Sequence, residues 1–336
     1  MGEANTMKRN IKKLLLSVLA VVCSMLLLYA VFCMVSTPLF YPQFSQSAEK
    51  LHTIPNLWGG FIPQGVTKAE DRDGYLVCGY MSGDNPSRIY RIDADGSETE
   101  ILLAKEDGST YTGHAGGLTA SGKFVYISNA SKIFVLSDEA VRTAKNGDTI
   151  AFIGRFAVPC RSSFCASDGK MLYVGEYHAD GYETDDSHSI QTADGQVYQA
   201  VVFAYPLDEN AEFGVNASLE PTMAFAVRDT AQGFAMSSNG ETYLSCSWGL
   251  HDAELYRYTT DGEPDGVFRL EDKTIPLYVL DSNRQTGKLT MPHMSEDMDY
   301  RDGRLLIAFE AGAVKFGGGL LPFSVRSFVA VDPDTF

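Results

Sequence analysis

A strand–turn–strand pattern that occurs five times constrains the fold of this chain more than any other feature. Each copy has one or two polar residues, an apolar-biased run, a turn with glycine, and a run rich in aromatic and β-branched residues. The polar starts are Gln64, His114, Ser162, Gln232 and Glu296, and the turn glycines are Gly74, Gly122, Gly169, Gly240 and Gly303. In the last four copies a polar residue follows the glycine by seven positions, namely Asn129, Glu176, Ser247 and Glu310.

Repeats at intervals of roughly 50 to 70 residues are typical of a β-propeller, in which each repeat forms one blade around a shared axis. We therefore predict an all-β propeller of five blades. Six blades are the alternative, because 275–281 and 288–291 could add strands or a degenerate blade. We expect 327–332 to join the last blade and 51–62 to form its outer edge, which removes an exposed strand edge. A strand near 267–270 is expected to complete the fourth blade.

The N-terminus predicts a membrane anchor. Residues 14–35 contain no charge and follow Lys8, Arg9, Lys12 and Lys13. About 20 apolar residues span a bilayer core, and a basic flank stays cytoplasmic. A cleaved signal peptide is the alternative, but the run exceeds a usual h-region of about 7–15 residues and no A-x-A-like site follows it. We expect a cytoplasmic tail (1–13), an anchor (14–35), a juxtamembrane spacer (36–50) and an extracytoplasmic propeller (51–336) of a single-pass cell-membrane protein.

The charge balance bears on possible partners. After the anchor the chain carries 23 Lys and Arg residues against 42 Asp and Glu residues. Such a body repels phosphate backbones and anionic lipid surfaces, so we expect no nucleic-acid partner. The expected partners are the membrane, through residues 14–35, and a small polar ligand or a cell-surface partner.

In a propeller, the polar ends of the repeats come together and form a candidate site. The first strand of each repeat starts, and the second ends, at the same face of the propeller, so their polar ends meet around one axial mouth. The predicted ligand-binding residues are Gln64, Tyr80, Asn129, Ser163, Glu176, Gln232 and Trp248. Crowded carboxyl groups acquire raised pKa values that suit acid–base chemistry, which makes Glu296, His114 and Glu310 the candidate catalytic residues. Oxygen ligands also suit a divalent cation such as calcium, with Glu296, Asn129 and Glu176 as candidate ligands.

Short motifs at the strand starts carry a resemblance to known proteins. These motifs are Pro63-Gln64-Gly65, His114-Ala115-Gly116-Gly117, Gln232-Gly233-Phe234 and Ser295-Glu296. With them the chain resembles bacterial exported or membrane-anchored propellers of no settled activity. It is more loosely similar to the lactonase-type group of gluconolactonase and strictosidine synthase, in which six blades are usual. That resemblance implies an axial divalent metal, usually calcium, held by Glu, Asn and Asp, and Glu296 and Asn129 match in kind.

Two functions follow as hypotheses. The first is a binding module that holds a small polar ligand, a glycan or a protein segment at its axial mouth. The second is a metal-assisted hydrolase of lactones, esters or sugars at the same place.

Overall fold

Five sheets of four to six strands stand around one axis in the computed structural model, which describes residues 2–68 and 73–336. Each innermost strand contacts the next, and the last contacts the first, so the ring is closed. In order of blades 1 to 5, the innermost strands are Phe61–Lys68, Gly117–Ser121, Phe164–Ser167, Ala231–Met236 and Ser295–Arg301. The prediction of five blades is confirmed, and the six-bladed alternative is wrong. Part of the first turn, 69–72, lies outside the described residues.

The second and third strands of every blade carry the aromatic and β-branched runs, because these strands are buried between neighbouring blades. The second strands are Tyr75–Met81, Phe124–Asn129, Met171–Gly175, Glu241–Cys246 and Arg304–Phe309. The third strands are Arg88–Ile92, Lys132–Ser137, Ala200–Pro206, Ala253–Thr259 and Ser327–Val331. Large side chains such as Phe203, Phe234 and Phe309 are fully buried between the sheets. Burial of this apolar surface holds the blades together.

Both ends of the chain meet in blade 5. Strand Ala48–Thr53 pairs antiparallel with Ser327–Val331 as the outer edge of that blade. The predicted closure is therefore present, but the outer strand is 48–53 instead of 51–62. Phe61 and Ile62 belong to the innermost strand of blade 1, after a 3-10 turn at Leu57–Gly59. Residues 48–50, which we assigned to the spacer, are part of the blade.

The outer edges of the other blades hold the main departure from prediction. Blade 1 ends with Glu98–Ala104 and Asp148–Ala151, blade 2 with Gly154–Ala157, and blade 4 with Gln285–Met291. Blade 3 continues through Met223–Val227 and Thr274–Val279 to Gly266–Arg269. The strand near 267–270 therefore belongs to blade 3, and its assignment to blade 4 was wrong. The reason is apolar burial, because Phe268, Ile275 and Leu277 are buried in the core cluster of blade 3.

Helices play a small part in the body of the protein. Helix α1 (Gly2–Phe40) precedes the short α2 (Pro42–Ser47), and α3 (Asp138–Thr143) lies between blade strands with Ser137 as its N-cap. Short 3-10 turns occur at Asp186–His188, Val314–Phe316 and Pro333–Thr335, and a two-stranded hairpin joins Ile190–Gln191 to Val197–Tyr198. Within α1, the segment Thr6–Phe40 is long and apolar enough to cross a membrane, by length and composition alone.

Candidate functional site

A cavity of about 460 Å³ opens on the axis at the face where the innermost strands begin. Nine of the ten residues proposed from the sequence line it: Gln64, Tyr80, His114, Asn129, Ser163, Gln232, Trp248, Glu296 and Glu310. Every blade contributes at least one of them. The sequence-predicted residue that is not in this lining is Glu176. The geometry therefore gathers polar groups that are up to 246 positions apart in the chain, as for Gln64 and Glu310.

Irregular strand pairing aims three of these side chains at the axis. In blade 1 the pairing passes from Pro63 to Gly65, and in blade 4 from Ala231 to Gly233, so that Gln64 and Gln232 are extra residues. In blade 5 a similar shift between Ser295 and Met298 frees Glu296. Such β-bulges turn a side chain out of the regular alternation of a strand. In these three copies the polar start is thus the sequence mark of a bulge.

A carboxyl pair lies at the base of the cavity. Glu296 is almost fully buried and is hydrogen-bonded to Glu310. Burial, and next the negative charge of Glu310, raise the pKa of Glu296 well above its usual range. Burial raises the pKa of Glu310 to about 7, against the lowering effects of Lys315 and of a hydrogen bond from Gln64 Nε2 to Glu310 Oε2 at 3.1 Å. Near neutral pH the pair therefore holds at least one proton, with Glu296 donating to Glu310.

A ring stack and a cation form the adjacent wall. The rings of Tyr80 and His114 are stacked with centroids 4.6 Å apart. Lys315 Nζ donates to the Tyr80 hydroxyl at 2.6 Å. Desolvation by the surrounding protein, and to a smaller extent the charge of Lys315, lowers the pKa of His114. The His114 ring nevertheless faces the open cavity. The imidazole is therefore neutral at pH 7, with one nitrogen able to donate and the other able to accept a hydrogen bond.

Three aromatic side chains stand at the opposite rim. Tyr177, Tyr182 and Trp248 line the cavity, with Trp248 6.2 Å from each tyrosine ring. Tyr182 and Trp248 are 53% and 43% exposed. Tyr177 follows the second strand of blade 3, and Tyr182 lies in an acidic insertion, 178–196, between the second and third strands of that blade. Trp248 follows the second strand of blade 4. Exposed aromatic faces beside convergent polar groups are typical of a binding site for a small polar molecule with an apolar face.

Glu176 is placed elsewhere and has a structural role. One of its carboxylate oxygens pairs with His188 Nδ1, and the other accepts the backbone N–H of Arg161 at 3.0 Å. Both Glu176 and His188 are buried. This pair fastens the inserted turn Asp186–His188 to blade 3. The structure therefore places Glu176 outside the cavity lining, because the insertion supplies a buried partner that its position in the repeat did not indicate.

The residues do not fit the divalent metal that the lactonase resemblance implies. Of the three candidate ligands, Glu176 is held by His188, and Glu296 is hydrogen-bonded to Glu310. Only Glu296 and Asn129 share the cavity. Within the part of the chain that the structure describes, no group of three or more His, Cys, Asp or Glu side chains is arranged to hold a metal ion.

Sequence reasoning missed two sets of residues. Arg161, Tyr182, Met294, Lys315 and Phe316 also line the cavity, but they lie on loops outside the repeated pattern.

The second set lies below the cavity, where Asp297 and Asp299 are fully buried on the axis. Asp297 Oδ2 accepts the backbone N–H of Leu118 at 3.1 Å, and Asp299 Oδ2 accepts from Thr119 at 3.2 Å and from Arg301 at 3.0 Å. These bonds tie blade 5 to blade 2. The alternating acids after Glu296 were the available signal.

The fold and the site together define a class: a five-bladed propeller with one axial polar cavity, preceded by a helix able to span a membrane. Neither a protein-family model nor a curated protein sequence matches the chain. Similarity to solved structures is distant, with three examples. Hydrazine synthase from Kuenenia stuttgartiensis is 12% identical with a TM-score of 0.36, over 74% of this chain and 55% of that one, so the chain spans about half its length.

The other two examples carry the names of dehydrogenases. A PQQ-bound aldose sugar dehydrogenase from Streptomyces coelicolor is 17% identical with a TM-score of 0.39, over 78% of each chain. An oxidoreductase of glucose dehydrogenase type from Thermus thermophilus is 13% identical with a TM-score of 0.41, over 84% of this chain and 99% of that one. Similarity at this level concerns the propeller fold and carries no activity to this chain.

Proposed function

We propose that this chain is a membrane-anchored, extracytoplasmic propeller that binds a small polar ligand in its axial cavity. The observation that carries the proposal is convergence, because side chains from all five blades face one cavity of about 460 Å³. Ligand sites commonly enclose about 300–1,000 Å³. Bulges at Gln64, Gln232 and Glu296 aim polar groups into that space. Repeating such a device in three blades is unnecessary for packing alone and suits a binding site.

The chemistry of the lining favours a ligand rich in hydroxyl groups. Amide side chains at Asn129 and Gln232 both donate and accept hydrogen bonds, and the Glu296–Glu310 pair does the same while it holds a proton. Gln64 offers its oxygen as an acceptor, because its Nε2 already donates to Pro63 and Glu310. The exposed face of Trp248 can stack on the apolar face of a sugar ring. A monosaccharide or the end of a glycan therefore matches the cavity better than a purely ionic ligand.

The N-terminal helix supports an extracytoplasmic location for the propeller. Helix α1 carries an apolar segment of membrane-spanning length, and its four basic residues precede the uncharged run. The positive-inside rule then leaves the N-terminus in the cytoplasm and the propeller outside.

The test is direct binding to the full chain in detergent micelles. A panel of monosaccharides and disaccharides is screened by thermal shift and then by calorimetry. We expect at least one sugar to bind, and Gln232→Leu and Trp248→Ala each to weaken binding by about tenfold, or 1.4 kcal/mol. The matched control is Trp58→Ala, since Trp58 is also exposed but lies outside the cavity lining.

Two results would contradict this proposal. One is the absence of any sugar-dependent shift, and the other is binding that survives both cavity substitutions. A parallel assay with lactone and aryl-ester substrates, with and without calcium, covers the hydrolase hypothesis, in which Glu296, His114 and Glu310 would be catalytic. Turnover that Glu296→Gln abolishes in a folded protein would replace the binding module by an enzyme.

A further inference from the structure

One loop connects the axial cavity to the anchor helix. The rim loop, 310–326, joins the second and third strands of blade 5. At one end its Lys315 and Phe316 line the cavity. At its tip the backbone oxygen of Leu320 accepts hydrogen bonds from the Tyr29 hydroxyl at 2.8 Å and from Cys33 Sγ at 3.6 Å. The same loop thus belongs to the wall of the site and to the surroundings of α1.

These contacts with α1 determine how deep the tip of the rim loop lies relative to a bilayer. Tyr29 and Cys33 lie within the uncharged run 14–35. At 1.5 Å per residue, Tyr29 is about 9 Å before the end of that run. Since about 20 residues cross the hydrocarbon core, a run that enters at position 14 reaches the outer boundary near Cys33. The tip of the rim loop therefore lies at the outer membrane boundary when α1 spans the bilayer.

The surface at this level is apolar. Trp58, Val314, Leu320 and Leu321 are 55%, 42%, 62% and 38% exposed. The Trp58 ring packs on Gly318, where an added Cβ would approach the ring to 2.8 Å. Tryptophan and leucine exposed beside an apolar helix are typical of a segment that enters the membrane interface.

A second loop at the cavity mouth, in the neighbouring blade 4, is also tied to the anchor. The hydroxyl of Tyr41, just after α1, donates to Asp252. Asp252 follows Trp248, which lines the cavity, and Leu250, which is 65% exposed. Loops of blades 4 and 5 at the mouth are thus held at the C-terminal end of α1. The mouth consequently faces the membrane side of the protein.

We propose that the cavity receives the sugar headgroup of a membrane glycolipid, whose acyl chains remain in the bilayer beside the rim loop. This inference rests on the proposed function and names the source of its ligand. An uncharged headgroup is chosen because the acidic body repels anionic lipid surfaces. The ring of Trp248 fits the apolar face of a sugar, and the amides of Asn129 and Gln232 fit its hydroxyl groups. A ligand held in the same bilayer also gains effective concentration over a dissolved sugar.

The first experiment measures the depth of the rim loop. The chain has two tryptophans, Trp58 and Trp248, so Trp248→Phe leaves Trp58 as a single reporter. The full chain is reconstituted in phosphatidylcholine vesicles with brominated acyl chains, and quenching is compared with that by aqueous iodide. We expect the brominated lipid to quench Trp58 strongly and iodide to quench it weakly. Quenching by iodide alone would overturn the inference.

A substitution series separates insertion of the loop from anchoring by α1. Leu320→Asp combined with Leu321→Asp adds charge at the tip and is expected to reduce lipid quenching of Trp58 at least twofold, while the protein stays in the vesicles. Val267→Asp is the matched control, because Val267 is 67% exposed on the added hairpin of blade 3. Equal quenching in both variants would contradict insertion of the loop.

The second experiment identifies the source of the sugar. In a Trp58→Phe background, Trp248 fluorescence reports binding to the full chain in phosphatidylcholine nanodiscs. We expect a response to monoglucosyl diacylglycerol in the disc at a total sugar concentration about tenfold below that needed for methyl glucoside in water, and loss of the response in Gln232→Leu. If methyl glucoside acts equally well, the inference fails while the proposed function stands. If neither probe acts, the inference fails, and the sugar screen in micelles decides the proposed function separately.

Discussion

Replacement of Glu310 by glutamine tests the chemistry at the base of the cavity. Glu310 accepts hydrogen bonds from Gln64 and Glu296. Its pKa is raised from 4.5 to about 7, chiefly by burial. A carboxyl group whose pKa is higher in the folded state stabilises the fold fully below its unfolded pKa. That contribution is lost as the pH rises through the folded value. The relevant window is therefore about pH 4.5 to pH 7.

The size of the effect follows from the shift. Each pKa unit corresponds to 1.36 kcal/mol, so a rise from 4.5 to about 7 is equivalent to about 3 kcal/mol. Water in the open cavity screens part of this free energy, so the contribution of Glu310 to the free energy of unfolding is about 2–3 kcal/mol. Between about pH 4.5 and pH 8 the wild type should lose that much free energy of unfolding from this group. Glu310→Gln cannot ionise, so its pH dependence over the window should be flatter by the same amount.

The assay is urea unfolding of the full chain in detergent micelles, followed by tryptophan fluorescence at several pH values. The difference between wild type and variant cancels the acids that titrate alike in both proteins. It contains the titration of Glu310 and the change in the pKa of Glu296 on loss of Glu310, and burial, the larger cause, still holds that pKa above its usual range. Glu271→Gln, at an exposed turn, is the matched control and should leave the pH profile parallel to that of the wild type. If Glu310→Gln also gives a parallel profile, the raised pKa and the shared proton are refuted.

Three further substitutions test the packing. Gly117→Ala places a Cβ 2.3 Å from a buried axial carboxylate and should lower the free energy of unfolding by about 1–3 kcal/mol, whereas Gly266→Ala, with open space around it, should not. His188→Ala leaves one oxygen of the buried Glu176 without its imidazole partner, while the other still accepts the N–H of Arg161; we expect the free energy of unfolding to fall by about 1–3 kcal/mol and proteolysis of the insertion to become faster. Phe328→Ala should lower stability by about 3–5 kcal/mol in the same unfolding assay, because its ring is fully buried in the closing blade.

Much of the fold was predictable because the sequence signals that specify a propeller blade are local. A strand–turn–strand unit needs only period-two alternation and a turn glycine, and both are visible without tertiary information. The exception was the hairpin from Gly266–Arg269 to Thr274–Val279. It has the same local pattern as any outer strand, but it joins blade 3 through a parallel pairing with Met223–Val227. A single sequence does not show which sheet edge offers the larger apolar contact.

The candidate site was predictable to the extent that it follows the repeat. Gln64, Gln232 and Glu296 occupy equivalent positions, so a closed ring is enough to bring them together. Glu176 holds the same register as Glu310, yet the insertion in blade 3 supplies His188 as its partner and removes it from the cavity. Lys315 was missed for the opposite reason, because a loop without a repeat pattern gives no indication of where it folds.

The bulge in blade 5 connects the cavity to the buried axial carboxyl groups of Asp297 and Asp299 below it. Regular alternation would direct Asp297 and Asp299 to the axis and Glu296 away from it. The shift between Ser295 and Met298 turns Glu296 to the axis as well. Acidic side chains from this one strand therefore extend from the cavity to the buried axial region below it. The negative charge of Asp297 is one of the causes that raise the pKa of Glu296. Asp297 therefore acts at two places, because it accepts the N–H of Leu118 in blade 2 and adds to the causes that raise the pKa of Glu296 in the cavity.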